Sequence, residues 1–305
     1  MGDITVLVPE DEGEAALADV AGVEVVRYDP GGELPEAAAR AQVLIPPFLA
    51  GTSAVPIVER LPELRLVQLL TAGAEAWIGR LPAGVALSDC RGAHSGATAE
   101  WIVGALLAVY RHFPEFVRAQ DAGRWDYHIT DTLAGKRVLI VGAGDVAEHT
   151  VRRLEPFEVT TTLVARRARP GVHAIDEVHD LLGDHDACVV IVPLTDATRG
   201  LIDAKFLAAM PDGALLVNAA RGPVADTDAL TAELVSGRLR AALDVTDPEP
   251  LPEGHPLWSA PGLFLCPHVG GSVPGRLERA YGIAAEQIAA FARGEQPANL
   301  VADGY

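Results

Sequence analysis

The stretch VLIVGAGDVAEHTVRRL (138–154) sets two glycines, Gly142 and Gly144, between an apolar run and a helical pattern. Gly142 permits a tight turn, Gly144 lets a pyrophosphate approach the backbone, and Ala147 takes the third place of the fingerprint. A helix that opens here offers free N–H groups and the positive end of its dipole to phosphates. Dinucleotide binding is the chemistry implied. Asp145 and Val146 complete the loop; the charge of Asp145 does not help a pyrophosphate, so its side chain is expected to point to solvent. The next apolar run, TTTLVAR (160–166), ends where an acid would bond the ribose hydroxyls. Ala165 holds that place, and Arg166, Arg167 and Arg169 follow. A carboxylate would repel a 2′-phosphate, whereas arginine binds one bidentately, a charged bond of about 1.5–3 kcal/mol. The pattern favours NADP(H), with NAD(H) possible. A second candidate is His268 in FLCPHVGGS (264–272), between a proline and two glycines. By itself it reads either as a packed side chain or as a proton donor that titrates near neutrality.

These residues need a scaffold, and the composition bounds it. The 305 residues are 49% hydrophobic, enough for two domains with buried cores. A formal net charge of -18, from 24 basic and 42 acidic residues, repels a polyanion, so no nucleic-acid partner is expected. Three scattered cysteines, Cys90, Cys188 and Cys266, form neither a disulfide framework nor a CxxC metal pair. They fit a reduced, cytoplasmic compartment, and no metal site is expected. No signal peptide, myristoylation pattern or membrane-length apolar run is read, so no membrane association is expected.

Short apolar runs alternate with Ala-rich helical stretches. ITVLVP (4–9), VEVVRY (23–28), QVLIPP (42–47) and LRLVQLL (64–70) read as buried parallel strands of a small α/β domain. A long helix follows, capped by Ser95 or Thr98 and closed by RHFP. Its wide apolar stripe of Trp101, Ile102, Ala105, Leu106 and Val109 suits either an interface or a core helix. From LAGKRVLIVGAG onward come six runs: the one ending at the glycine loop, then 160–166, 187–193, 214–220, 239–245 and 263–268. That is the rhythm of a doubly wound parallel sheet. The tail from Arg276 reads as an amphipathic helix that packs back on the first domain. The expected domains are 1–99 with 276–305, and 100–275.

Three further segments carry a specific likeness: MPDGALLVNAARGPVADTDAL (210–230), AALDVTDPEPLPEGHPLW (241–258) and CPHVGGS. With GAGDVA and VPLTDATRGLI (192–202), and from TAGAE (71–75) almost to the C-terminus, the chain resembles the D-2-hydroxyacid dehydrogenase family. The resemblance implies an α/β fold of two Rossmann-like domains with doubly wound parallel sheets, an active site in the interdomain cleft, and a homodimer. It implies a 2-oxo acid substrate, with glyoxylate or hydroxypyruvate the default. Carried over by position, Arg221 clamps the substrate carboxylate, Glu249 orients the histidine, and His268 is the general acid/base. Ala72, Gly73 and Ala74 offer backbone N–H groups to the carboxylate. Asp244 contacts the nicotinamide amide, and Pro193, Thr198, Ala219 and Gly270 join the cofactor contacts. Elementary chemistry agrees: hydride transfer to a 2-oxo acid builds negative charge on the carbonyl oxygen. A protonated imidazole stabilises that charge and gives up its proton, while an adjacent carboxylate favours the charged ring.

Two departures stand out. Glu158 replaces a glycine before the second strand, an expected source of distortion, and Cys266 replaces a small hydroxyl residue. His94, at the start of the long helix, is a weaker candidate for the site. Two other readings remain open at this stage. A cofactor-sensing, corepressor-like binding protein on the same fold would keep the catalytic set. A formate- or phosphite-type dehydrogenase is disfavoured, because the formate enzymes carry Gln where Glu249 stands.

Overall fold

The computed structural model describes residues 3–301; the outer ends of the expected domains, 1–2 and 302–305, lie outside the described residues. The chain divides into two compact units, Met1–His94 with Val273–Tyr305, and Ser95–Ser272.

Unit 1 begins with β1 (Ile4–Val8), α1 (Asp11–Leu17), β2 (Val23–Arg27), β3 (Ala41–Leu44), α2 (Val55–Val58), β4 (Leu66–Gln68) and β5 (Ala86–Ser88). The five strands are parallel, in the order β2-β1-β3-β4-β5. Successive side chains of a strand face opposite ways, and here both faces are covered. Val6, Val8 and Val43 join one buried cluster, while Leu7 and Leu44 join another.

Unit 2 holds α3 (Ser95–Tyr110), α4 (Phe113–Asp121), β6 (Arg137–Val141), α5 (Asp145–Leu154), β7 (Thr160–Ala165), β8 (Val172–Ala174), α6 (Val178–Leu182) and β9 (Ala187–Val190). It continues with α7 (Ala204–Ala209), β10 (Leu215–Asn218), α8 (Thr227–Val235), β11 (Arg240–Leu243) and β12 (Leu263–Leu265). All seven strands are parallel, in the order β12-β11-β10-β9-β6-β7-β8. Val138, Ile140, Val189 and Val217 pack under α3 and α5, while Leu139, Val141, Val190 and Leu216 face the opposite layer. The last helix, α9 (Arg276–Ala292), belongs to unit 1, where Ala280, Tyr281, Ala284 and Ile288 fill the cluster around β1. The hydroxyl of Tyr281 donates to Glu10, just before α1.

Several local expectations need correction. Ser95 is the first residue of α3 and Thr98 lies inside it, so neither stands ahead of the helix as a cap. RHFP does close α3, which ends at Tyr110, but no long loop follows: His112 takes a left-handed backbone and α4 starts at once, with Pro114 in its first turn. Proline suits that place, because the first N–H groups of a helix lack intrahelical partners. The stripe on α3 is core: Ile102, Ala105, Leu106 and Val109 are buried within unit 2. Three elements carry no sequence signal strong enough to find them. β5 and β8 are three-residue edge strands, and α4 is masked by its proline. The expected boundary after residue 99 would have split α3, which goes whole with unit 2.

Glu158 does not distort its turn. It adopts the left-handed backbone, with φ of 59°, that glycine would supply. Its carbonyl still accepts the Gly135 N–H at 3.1 Å. The cost is local strain, about 1–2 kcal/mol for a residue with a Cβ.

Candidate functional site

In a sheet whose strands all run the same way, every loop that follows a strand leaves at one edge. The edge of unit 2 therefore carries, in spatial order, the loops after β12, β11, β10, β9, β6 and β7. The order reverses beside β6, between the crossover to β7 and the later return to β9, and this is where such sheets bind ligands. Gly142 sits at that switch point. Its φ is +115°, and a Cβ there would lie 2.6 Å from the Ile191 carbonyl oxygen beyond β9. Gly144 is the opposite case: a Cβ on it would meet nothing within 4 Å. A turn that only glycine fits, open space beside the second glycine, and the start of α5 together suit a pyrophosphate. Asp145 does not point simply to solvent, because its carboxylate lies 3.8 Å from His149 Nε2 one helical turn on.

The arginine run follows β7 directly, and Arg166, Arg167 and Arg169 are all exposed. β7 pairs with β6, so the run adjoins the glycine loop. Arg169 closes the gap by donating to the Ala143 carbonyl at 2.6 Å.

On the other side of the switch point, β10, β11 and β12 bring Arg221, Glu249 and His268 to adjoining loops. His268 Nδ1 and Glu249 Oε1 are 2.7 Å apart, both half-exposed. This pairing leaves Nε2 as the nitrogen that can meet a ligand. His268 has a left-handed backbone, φ 53°, and Asp244 secures it. The Asp244 carbonyl accepts the His268 N–H at 2.7 Å, while its carboxylate accepts the Val269 and Gly270 N–H groups at 2.8 and 2.9 Å. Asp244 is buried, and burial pushes its carboxyl above the usual range; the two N–H donors and the His268 charge pull it back. Thr246 and Thr227 hydroxyls donate to the Pro248 and Asp247 carbonyls and brace the Glu249 loop.

The model of the D-isomer specific 2-hydroxyacid dehydrogenase, NAD binding domain, matches residues 103–270. The chain belongs to this family. The dehydrogenase is 35% identical to a glyoxylate reductase of Thermofilum pendens over 231 residues, 72% of this chain and 68% of that one. It is 30% identical to the human glyoxylate reductase/hydroxypyruvate reductase over 307 residues, 93% and 92% of the two chains. A D-isomer specific 2-hydroxyacid dehydrogenase from Xanthobacter autotrophicus, solved with NADPH and MES, superposes with a TM-score of 0.83 at 30% identity, covering 99% of this chain and 98% of that one. Family membership makes this an NAD(P)-dependent oxidoreductase acting on 2-hydroxy acids.

The remaining candidates of the dehydrogenase fall as follows. Pro193 and Thr198 share one turn after β9, with the Thr198 hydroxyl donating to the Pro193 carbonyl at 2.6 Å. Ala219 follows β10, and its N–H donates to the Val190 carbonyl. Val146 lies half-buried in the first turn of α5. Ala72, Gly73 and Ala74 follow β4 in unit 1, where the Thr71 hydroxyl donates to the Gly73 carbonyl at 2.9 Å. His94 is tied within unit 1, with Nε2 3.0 Å from the Leu70 carbonyl oxygen and Phe48 edge-on. Burial lowers its pKa. Cys266 is half-buried, and burial raises its thiol pKa.

Two positioning residues escaped the sequence reading. Asn218 is buried; its Oδ1 accepts the Ala220 N–H at 3.0 Å and its Nδ2 donates to the Arg221 carbonyl at 3.2 Å, so it shapes the chain around Arg221. Gly222 lies so close to the next loop that a Cβ would stand 1.8 Å from the Thr246 carbonyl oxygen. The polar end of a strand, VN, and the pair RG were their only sequence signals.

Asp244→Asn tests how the histidine loop is held. One amide N–H must then face the Val269 or Gly270 N–H, losing an acceptor and opposing two donors. Urea unfolding is expected to show a loss of about 1–3 kcal/mol; a loss of only a few tenths would mean that the carboxylate does not hold the loop.

Proposed function

We propose that this dehydrogenase works as an NADP(H)-preferring reductase of small 2-oxo acids, of the glyoxylate or hydroxypyruvate kind. The observation that carries the reading is the His268–Glu249 pair at 2.7 Å, with Arg221 on the neighbouring strand's loop. The cofactor's pyrophosphate is held at Gly142, Gly144 and the start of α5, and its 2′-phosphate by Arg166 and Arg167. Bound there, the reduced nicotinamide supplies the hydride. Arg221 holds the substrate carboxylate and polarises the adjacent carbonyl. His268, protonated and oriented through Nδ1 by Glu249, donates from Nε2 to the carbonyl oxygen as charge develops on it. The relatives named glyoxylate reductase support the substrate class. The relative solved with NADPH supports the cofactor choice.

The proposal includes a homodimer. The extended segment after α4 exposes Trp125, Tyr127 and Ile129 at 97%, 86% and 88%, and α4 itself exposes Phe113 and Val117. So much apolar surface in one segment calls for a partner, and a second copy of the chain is the partner the family resemblance implies.

His268→Asn is expected to cut kcat by about 10²- to 10⁴-fold with glyoxylate and NADPH, with the NADPH Kd unchanged; retained turnover would remove the proton-donor role. Replacing Arg166 and Arg167 together with Ser is expected to weaken NADPH binding by tenfold or more, on the order of one charged bond, and NADH binding far less. Equal losses would sink the 2′-phosphate reading. For the dimer, sedimentation of the full chain is expected to give twice the monomer mass, falling to the monomer in Trp125→Ser/Tyr127→Ser; a monomeric wild type would refute it.

A further inference from the structure

We propose that His112, Glu115 and His128 form a binding site for a divalent transition metal ion, Zn²⁺ by ligand type and geometry. Three atoms converge: His112 Nδ1 and His128 Nε2 at 3.1 Å, His112 Nδ1 and Glu115 Oε2 at 2.9 Å, and His128 Nε2 and Glu115 Oε2 at 3.8 Å. Among the described residues this is the one group of three His, Cys, Asp or Glu side chains with ligand atoms within 4.8 Å of one another. A tetrahedral ion with ligands at about 2.0–2.1 Å sets those ligands about 3.3 Å apart, and the three edges bracket that value. The point equidistant from the three atoms lies about 1.9 Å from each, so an ion at zinc's bond lengths enters with shifts of a few tenths of an ångström.

The charge arrangement points the same way. Two ring nitrogens and a carboxylate oxygen aimed at one point form a donor set that a positive centre can hold together. A proton serves a single line between two atoms, whereas a divalent ion serves all three and displaces the proton. Two imidazoles and a carboxylate, without thiolate, suit zinc better than softer ions. All three side chains are partly exposed, which leaves the fourth position to water.

Separate pieces of chain build the site. His112 occupies the left-handed junction between α3 and α4, and Glu115 follows three residues later on the first turn of α4. His128 comes from the exposed segment beyond α4. Phe116 stacks on its ring at 4.7 Å between centroids and 19° between planes. Asp126 Oδ1 lies 3.8 Å from the other ring nitrogen of His128, the place a carboxylate takes behind a metal-bound histidine. An ion here would tie α4 to the segment that exposes Trp125, Tyr127 and Ile129. The site lies outside the catalytic set and does not depend on the proposed reaction.

The test uses the tag-free full chain, stripped with chelator and titrated with Zn²⁺ by calorimetry and with Co²⁺ by visible absorption. One Zn²⁺ per chain and the visible bands of tetrahedral Co²⁺ are expected. His112→Gln, His128→Gln and Glu115→Gln should each weaken Zn²⁺ binding by at least about tenfold. Circular dichroism and dehydrogenase turnover should not change in these variants, and His268→Asn should bind as the wild type does. Absence of binding in the wild type, or wild-type affinity retained in all three variants, would overturn the site. Binding lost in His268→Asn but kept in His112→Gln would move the ion to the His268–Glu249 pair and overturn it equally.

Discussion

The parallel direction of all seven strands in unit 2 is the constraint on which the site depends. Hydrogen bonding in a parallel ladder obliges each strand to begin at the same edge, so each connection must cross a whole sheet face. The loops that leave the strands then gather at the opposite edge. Arg221, Glu249 and His268 are far apart in sequence, yet three consecutive strand positions place them side by side. The strand order reverses at β6, beside which Gly142 must be glycine, because the Ile191 carbonyl fills the space of a Cβ. Architecture thus separates two groups of candidate residues. The glycine loop and the arginine run lie on the β6–β7 side, and the His268–Glu249 pair lies on the β10–β12 side.

Within that frame, polar groups spend their hydrogen bonds on holding the loops. Asp244 gives its main-chain carbonyl and both carboxylate oxygens to the turn that carries His268. Such a turn needs them, since a left-handed backbone at histidine costs about 1–2 kcal/mol. A carboxylate has about four lone-pair sites, so holding two N–H groups does not exhaust its acceptor capacity. Asn218 does the same service for Arg221 with neutral bonds. A buried residue at the end of each of two adjacent strands, β10 and β11, therefore fixes a more exposed residue of the candidate site.

Electrostatics gives the arginine run its weight. In a chain of net charge -18, three exposed arginines within four positions are a local reversal of sign. Screening confines their effect to about 8–10 Å at physiological salt, which still reaches the neighbouring glycine loop, where Arg169 already bonds Ala143. The acidic remainder of the surface disfavours large polyanions without opposing a small phosphate at this spot.

Much of this was legible in the sequence, because it depends on local pattern. Apolar runs of strand length, the glycine spacing after one of them, the arginines after the next and the ordered motifs around Arg221, Glu249 and His268 determine the fold class and single out the candidate phosphate loop and the candidate site residues. Burial along a single segment leaves a period in the sequence, and a special backbone leaves a glycine. The tertiary structure alone decided what depends on distances between segments. The three-residue edge strands β5 and β8 are too short to show a period, and a proline at its start disguised α4. The grip of Asp244 on Val269 and Gly270 spans 25 and 26 residues. The approach of Gly222 to Thr246 and the convergence of His112 and Glu115 with His128 beyond α4 likewise join different segments. No periodicity records such meetings, because they are set by how whole elements pack, and packing fixes the separation of side chains only once every element is in place.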